Sequence, residues 1–307
     1  MTFRAGRLIS GLGCLAAALL VMSGCGDGGA GTGDDGNGKI KVVASTDVWG
    51  SVASAVGGKS VSVTPIINSP SEDPHDYESN SEDALKVSEA KLAVSNGGGY
   101  DQFFSDAVSA AGTSPKTVVA YQLSGHRQGE ANEHVFYDLP TVEKVAGTIA
   151  QRLGEIAPRQ SKTFERNAAR FVDGVHKLEH KAQRIGREHP GTGAVATEPV
   201  ADYLLQTAGV RNATPGEFAE AVEHDVDIPA KALADTKALI TGKKVGLLLN
   251  NVQTETQSTT ALSAAAKSSG IPVVGMTETF PAGTTSYLAW MGKAVDDLAA
   301  AMNGQQQ

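Results

Sequence analysis

The chain has 307 residues, with 26 Lys and Arg against 34 Asp and Glu, and only two cysteines, Cys14 and Cys25. A surplus of acid leaves it poorly suited to nucleic acid or anionic lipid, where basic patches supply the attraction. Beyond position 25 there is neither a disulfide nor a thiolate on offer, so a metal site in the body of the chain must use nitrogen and oxygen ligands.

Positions 1–24 place Arg4 and Arg7 ahead of a mostly apolar run from Leu8 to Met22, closed by the small residues Ser23 and Gly24. This order reads as a secretory signal peptide, too short and poorly flanked for a membrane span. Met22-Ser23-Gly24-Cys25 resembles a bacterial lipobox, which implies cleavage before Cys25 and lipidation of that residue. Loss of the signal removes two arginines, leaving 24 basic against 34 acidic side chains. The polar, glycine-rich positions 25–38 cannot bury apolar surface and read as a flexible tether.

The body follows as short apolar runs alternating with helical patterns. Strands are expected at Ile40–Ala44, Ser60–Ile67, Leu92–Ser95 and Thr117–Tyr121, with helices at Asp47–Val56, Ser81–Glu89 and about Asp101–Ala111 between them. The polar stretch Gln122 to Asp138 reads as a long loop, a length that is usually functional or disordered. Leu139 to Arg187 is almost all helix-compatible. Within it Phe164, Ala168, Phe171, Val175, Leu178 and Ile185 recur at mostly three- and four-residue steps, with Pro158 suited to a start and Gly186 and Pro190 to a stop. Some thirty residues of helix span about 45 Å, more than one small lobe needs, so this segment reads as a rod between lobes. Beyond it the alternation resumes: strand Gly193–Thr197, a helix from Pro199, strand Val245–Asn250, helix Thr259–Ser269, strand Ile271–Gly275 and a last helix from about Thr284. The fold class is therefore α/β, with two lobes, each a mainly parallel sheet flanked by helices. The expected boundaries are 39–156, a connecting helix at 157–188, and 189–307. No fixed-period repeat is evident.

Four residues stand where such sheets bind ligands, beyond the carboxyl ends of strands. His75 lies in Asp73-Pro74-His75-Asp76-Tyr77-Glu78, a polar loop stiffened by proline. His134 precedes an aromatic run and a helix start, with Glu133 and Asp138 near enough to accept its other ring proton. Glu198 and Glu278 each follow an apolar strand. An acid in the first turn of a helix is also an ordinary cap, and that is the competing account of each glutamate.

Taken together, these segments resemble the metal-binding solute-binding lipoproteins of bacterial manganese and zinc ABC importers, over roughly Ile40 to Asn303. Asp73 to Glu78 matches a DPHxYE segment, and Ser95 to Asp101 matches an Asn-Gly-x-Gly-Tyr-Asp turn. His134 with Phe136, Glu198 with Tyr203, and Glu278 ahead of Ser286-Tyr287 match the later ligand segments, although Leu139 separates Asp138 from Pro140 and Pro199 is unusual. The resemblance implies metal held between the lobes by His75, His134, Glu198 and Glu278, and delivery by a monomer to the membrane permease of an ABC importer. Were Glu198 not a ligand, Asp225, Asp227 or water would complete the shell.

Two imidazoles and two carboxylates accept Mn²⁺, Fe²⁺ or Zn²⁺ and are poor for Cu(I). An acid at the third position, and a loop from Gln122 to Glu133 holding only His126, favour manganese; the general affinity series favours zinc. Ligation needs neutral imidazoles, so unperturbed groups would weaken binding as pH falls through about 6. Two other readings compete: a surface adhesin on the same fold, and a metallohydrolase using His176-Lys177-Leu178-Glu179-His180, an H-x-x-E-H match. The latter lies in the charged rod, where residues four apart share a face by ordinary periodicity.

Overall fold

In a computed structural model, residues 38–126 and 132–304 are described. The chain divides into Met1–Gly38 and Lys39–Gln307, and the architecture below is that of the second unit. The signal peptide, nearly all of the tether and Cys25 lie outside the described residues.

The first half runs β1 (Ile40–Thr46), α1 (Asp47–Gly57), β2 (Val61–Ile67), α2 (Ser81–Glu89), β3 (Leu92–Ser95), α3 (Gln102–Ala110), β4 (Lys116–Val119) and a short α4 (Ala120–Ser124). Two long helices follow, α5 (Leu139–Ile156) and α6 (Ser161–Glu188). The second half is β5 (Gly193–Ala196), α7 (Asp202–Thr207), β6 (Arg211–Asn212), α8 (Gly216–Glu223), α9 (Ala230–Thr241), β7 (Leu247–Asn251), α10 (Gln257–Ser268), β8 (Val273–Met276) and α11 (Tyr287–Asn303).

Each half holds a four-stranded parallel sheet, ordered β2-β1-β3-β4 in one and β6-β5-β7-β8 in the other. Counted from its own first strand, each sheet has the same order, so a topological repeat exists where the sequence has none. The central strands are buried along nearly their whole length, as expected for sheets covered on both faces: Val42 to Thr46 of β1, all of β3, all of β5 and all of β7. Register aligns Ala44 with Val94 in the first sheet and Ala196 with Leu249 in the second. The loops beyond the carboxyl ends of β2 and β8 meet, with His75 Nε2 3.5 Å from Glu278 Oε2.

The helix-compatible stretch divides at Ala157 to Gln160, where Pro158 opens a single 3₁₀ turn. Gly154 permits the close return, since a Cβ there would come within 2.8 Å of Ser161 Oγ. The 28 residues of α6 extend about 42 Å and touch both halves. Asn167 donates to the Val56 carbonyl at 2.8 Å near one end, and Gly186 packs directly on the Ala208 carbonyl near the other.

One apolar core runs without interruption from Val42 and Val94 through Phe136, Phe171 and Ala182 to Leu249 and Trp290. Two smaller cores sit under the outer faces, one around Val43 and Phe104 and one around Phe218 and Leu248. A shared core of this kind resists wide hinge motion, because separating the sheets would expose it.

Two expectations need correction, and one span left open is filled. Strand β4 ends at Val119, and α4 occupies the start of the expected long loop. The helix after Pro199 is a 3₁₀ turn followed by only six α-helical residues. The span between α7 and β7, unassigned from sequence, holds β6, α8 and α9.

Candidate metal centre

His75, Glu198 and Glu278 are each placed by a loop after a strand. The loop after β2 carries His75, whose backbone N–H donates to Asp73 Oδ1 at 2.9 Å. Tyr77 anchors this loop: its hydroxyl donates to Asp83 Oδ2 at 2.9 Å and its ring meets Phe103 edge-on. Asp83 in turn forms the capping box of α2 with Asn80. The sequence Asp73 to Glu78 thus fixes a histidine at the cleft by tying its neighbours to the next helix.

His134 is fully buried, with its ring packed against Tyr100 and Phe136. Its Nδ1 stands 2.7 Å from Asn132 Oδ1, while Asn132 Nδ2 donates to the Pro199 carbonyl. That second bond turns the amide oxygen toward the ring, so Nδ1 carries the proton and Nε2 presents a lone pair. The partner is therefore Asn132, in place of the carboxylates expected from sequence. Glu133 instead faces His75, and Asp138 accepts from Thr141 and lies 3.7 Å from His126 Nε2.

Glu278 follows β8 and is 3 % exposed. Its Oε2 stands 3.5 Å from His75 Nε2 and 3.6 Å from His134 Nε2. Glu223, at the end of α8, brings Oε1 to 3.6 Å from the same His134 nitrogen. These separations are long for hydrogen bonds. They match a shared cation, because ligands about 2.1 Å from a tetrahedral metal lie about 3.4 Å apart. Among the described residues, His134 Nε2, Glu278 Oε2 and Glu223 Oε2 are buried atoms without a hydrogen-bond partner. Buried polar atoms are normally satisfied, so three such atoms in one cleft call for a ligand.

Glu198 lies buried just after β5, beside Glu278. Its carboxylate accepts from Thr254 Oγ1 and, at 2.6 Å, from Asn251 Nδ2. The same Asn251 nitrogen donates to Glu278 Oε1 at 2.7 Å. His75, His134 and Glu278 offer donor atoms within 4.8 Å of one another, a group that includes neither Glu198 nor Glu223. Glu223 was not singled out from sequence, because the short β6 and α8 gave no strong pattern; only the nearby acids Asp225 and Asp227 were named as alternatives.

The charges are strongly coupled. Burial lowers the His75 pKa, but the acids Glu278, Glu133 and Glu223 outweigh it and raise it to about 9. Burial likewise opposes a charge on His134, and Glu278 and Glu223 reverse the effect, leaving it raised. Glu278 is pushed up by burial yet held well below the usual carboxylate range by the two imidazoles. Glu223 rises to about 7 because burial exceeds the attraction of His134 and His75. Burial also raises Glu198, against the hydrogen bonds of Thr254 and Asn251. The cleft therefore holds protons that a cation must displace.

The other histidines stand apart. His126 stacks on Tyr203, with ring centres 5.1 Å apart. His176 pairs with Glu143 at 3.0 Å on an exposed face of α6, and His180 is exposed on the same helix.

Two parallel-sheet lobes on one long helix, with imidazoles and carboxylates between them, define a solute-binding protein with a metal-type donor set. The chain belongs to the family of zinc-uptake complex component A, periplasmic, whose family model matches residues 42–301. The manganese-binding lipoprotein MntA of Halalkalibacterium halodurans is 27% identical over 231 residues, covering 69% of this chain and 76% of that one. Among solved structures, the periplasmic zinc-binding protein TroA from Treponema pallidum superposes with a TM-score of 0.73 at 18% identity, over 86% of this chain and 99% of that one. The solute-binding protein FpvC from Pseudomonas aeruginosa in complex with Mn²⁺ gives 0.73 at 19%, over 87% and 99%. At those identities the two structural likenesses are of fold.

Proposed function

We propose that this chain is an extracytoplasmic receptor that captures a divalent transition metal, Mn²⁺ or Zn²⁺, and delivers it as a monomer to the permease of an ABC importer. The observation that carries the reading is the pair of unpartnered buried atoms His134 Nε2 and Glu278 Oε2, 3.6 Å apart, with Glu223 Oε1 and the partly exposed ring of His75 beside them. His75, His134 and Glu278 supply two nitrogens and an oxygen, and Glu223 supplies the fourth donor. Glu198 acts one step back, through the Asn251 amide that it shares with Glu278. This assignment moves the fourth ligand from Glu198 to Glu223.

A mixed N₂O₂ set suits Mn²⁺, Fe²⁺ and Zn²⁺ alike. The family match and the relatives named above support metal uptake as the role. The lipobox-like end of the signal supports a mature chain beginning at lipidated Cys25, with positions 25–38 as tether and lobes at 39–156 and 189–307.

Titration calorimetry with Mn²⁺ and Zn²⁺ tests the site. His134→Ala and Glu278→Ala should each weaken binding by orders of magnitude, while His176→Ala and His180→Ala together change little. Equal losses in both sets would move the site away from the cleft.

A further inference from the structure

The two ring nitrogens of His75 face different acids. Nε2 lies 3.5 Å from Glu278 Oε2 on the inner side, whereas Nδ1 lies 3.5 Å from Glu133 Oε1. Nitrogens of one imidazole point apart, so a cation on Nδ1 occupies a different position from one on Nε2. His75, Glu133 and Glu223 each offer a donor atom within 4.8 Å of the others, a second group overlapping the first. Glu223 belongs here by a separate observation: its side chain is 9 % exposed and its Oε2 is buried without a partner.

Exposure falls along this path. The His75 and Glu133 side chains are 24 % and 21 % exposed, Glu223 9 %, Glu278 3 % and His134 zero. Glu133 is also held in place. Its backbone carbonyl accepts from Asn96 Nδ2 at 2.8 Å, and its carboxylate lies over Gly99, where a Cβ would come within 2.9 Å of Oε2.

We propose that His75, Glu133 and Glu223 form an outer capture position through which the divalent metal passes to and from the inner centre. The proposal rests on the metal-binding reading above. A hydrated cation gives up its waters one or a few at a time, and a centre this enclosed offers little room for the whole shell. An anionic carboxylate on the rim replaces the first waters, and Glu223 and His75 then contribute to both positions. A station on the path lowers the barrier in both directions. The station itself does not enter the equilibrium constant of the inner centre, which depends only on the end states; Glu133 enters it only as a charge beside His75.

This predicts an unusual kinetic signature for Glu133→Gln, which keeps the shape and an acceptor oxygen but removes the charge. Stopped-flow mixing with Zn²⁺, followed by a chelator chase, gives association and dissociation rates; calorimetry gives Kd. Both rates should fall together, by on the order of tenfold, with a smaller change in Kd than in either rate. A weaker Kd with unchanged association would mean that Glu133 only positions the His75 ring, and would overturn the proposal. So would a slower association alone that disappears at about 0.5 M salt, the mark of long-range charge steering. Unchanged rates would overturn it as well. His134→Ala is measured alongside: if that variant binds normally, the inner centre itself is wrong, whatever Glu133→Gln does.

Discussion

Gln253 reaches across the cleft to Pro70. Its side-chain nitrogen donates to the Pro70 carbonyl at 3.0 Å and to Thr279 Oγ1 at 2.7 Å, while its oxygen accepts the backbone N–H groups of Glu278 and Thr279. Pro70 lies in the loop that carries His75, so one carboxamide ties the two walls of the metal centre together. Gln253→Ala should speed metal release roughly 5- to 30-fold, the loss of about 1–2 kcal/mol of net hydrogen bonding. A chelator chase reads this directly; an unchanged release rate would leave Gln253 without a part in closure.

Glu223 and Glu198 are separable by substitution. Glu223→Gln removes a charged donor from the centre and should weaken Mn²⁺ binding by about a hundredfold or more. Glu198→Gln disturbs the Thr254 and Asn251 hydrogen bonds, and its loss should stay near the tenfold end of the range for such outer partners, roughly 10- to 100-fold. Calorimetry of the two variants at one pH decides between them. The opposite order of losses would return the fourth position to Glu198.

Why one acid was legible and the other was not follows from local structure. His75, Glu198 and Glu278 follow strands whose apolar runs are plain in the sequence, and His134 stands before the clear start of α5. Glu223 ends a helix that begins after Pro215 and follows a strand of only two residues, Arg211–Asn212. Periodicity has almost nothing to work on there. The rod could be read from its spacing because burial of Phe164, Ala168, Phe171 and Val175 follows one face. Which way the Asn132 amide turns could not be read, since it depends on the Pro199 carbonyl 67 residues away.

Lipidation of Cys25 is tested without reference to the metal. Cys25→Ser should move the protein from the membrane fraction to the soluble fraction while leaving metal affinity unchanged, because Lys39–Gln307 forms its own compact unit. Detergent fractionation of cells provides the measurement. Membrane retention of the variant would require another anchor.

The acids of the cleft move the pH dependence of binding upward from the value that isolated histidines would give. His75 has a pKa raised to about 9 and Glu223 one raised to about 7. Both groups must lose a proton to serve as donors, so affinity should climb with pH up to about 9 and fall steeply below about 7. Stability of the metal-free protein has the opposite sign. A folded-state pKa raised above the unfolded value means tighter proton binding by the folded chain. The contribution of His75 is thus full below about 6.5 and lost as pH rises through about 9. Glu223 behaves in the same way between its ordinary carboxylate value and about 7, where its buried charge becomes a cost. Glu278, whose pKa is lowered, contributes above the ordinary carboxylate range and loses that contribution only in acid. The rise in Tm produced by saturating metal should therefore grow with pH between about 6 and 9. Calorimetry at pH near 7.5 in two buffers of different ionisation enthalpy should show release of at least about one proton per metal bound, the His75 proton first among them. If the measured enthalpy does not depend on the buffer, His75 is already neutral and the acids around it do not hold its proton.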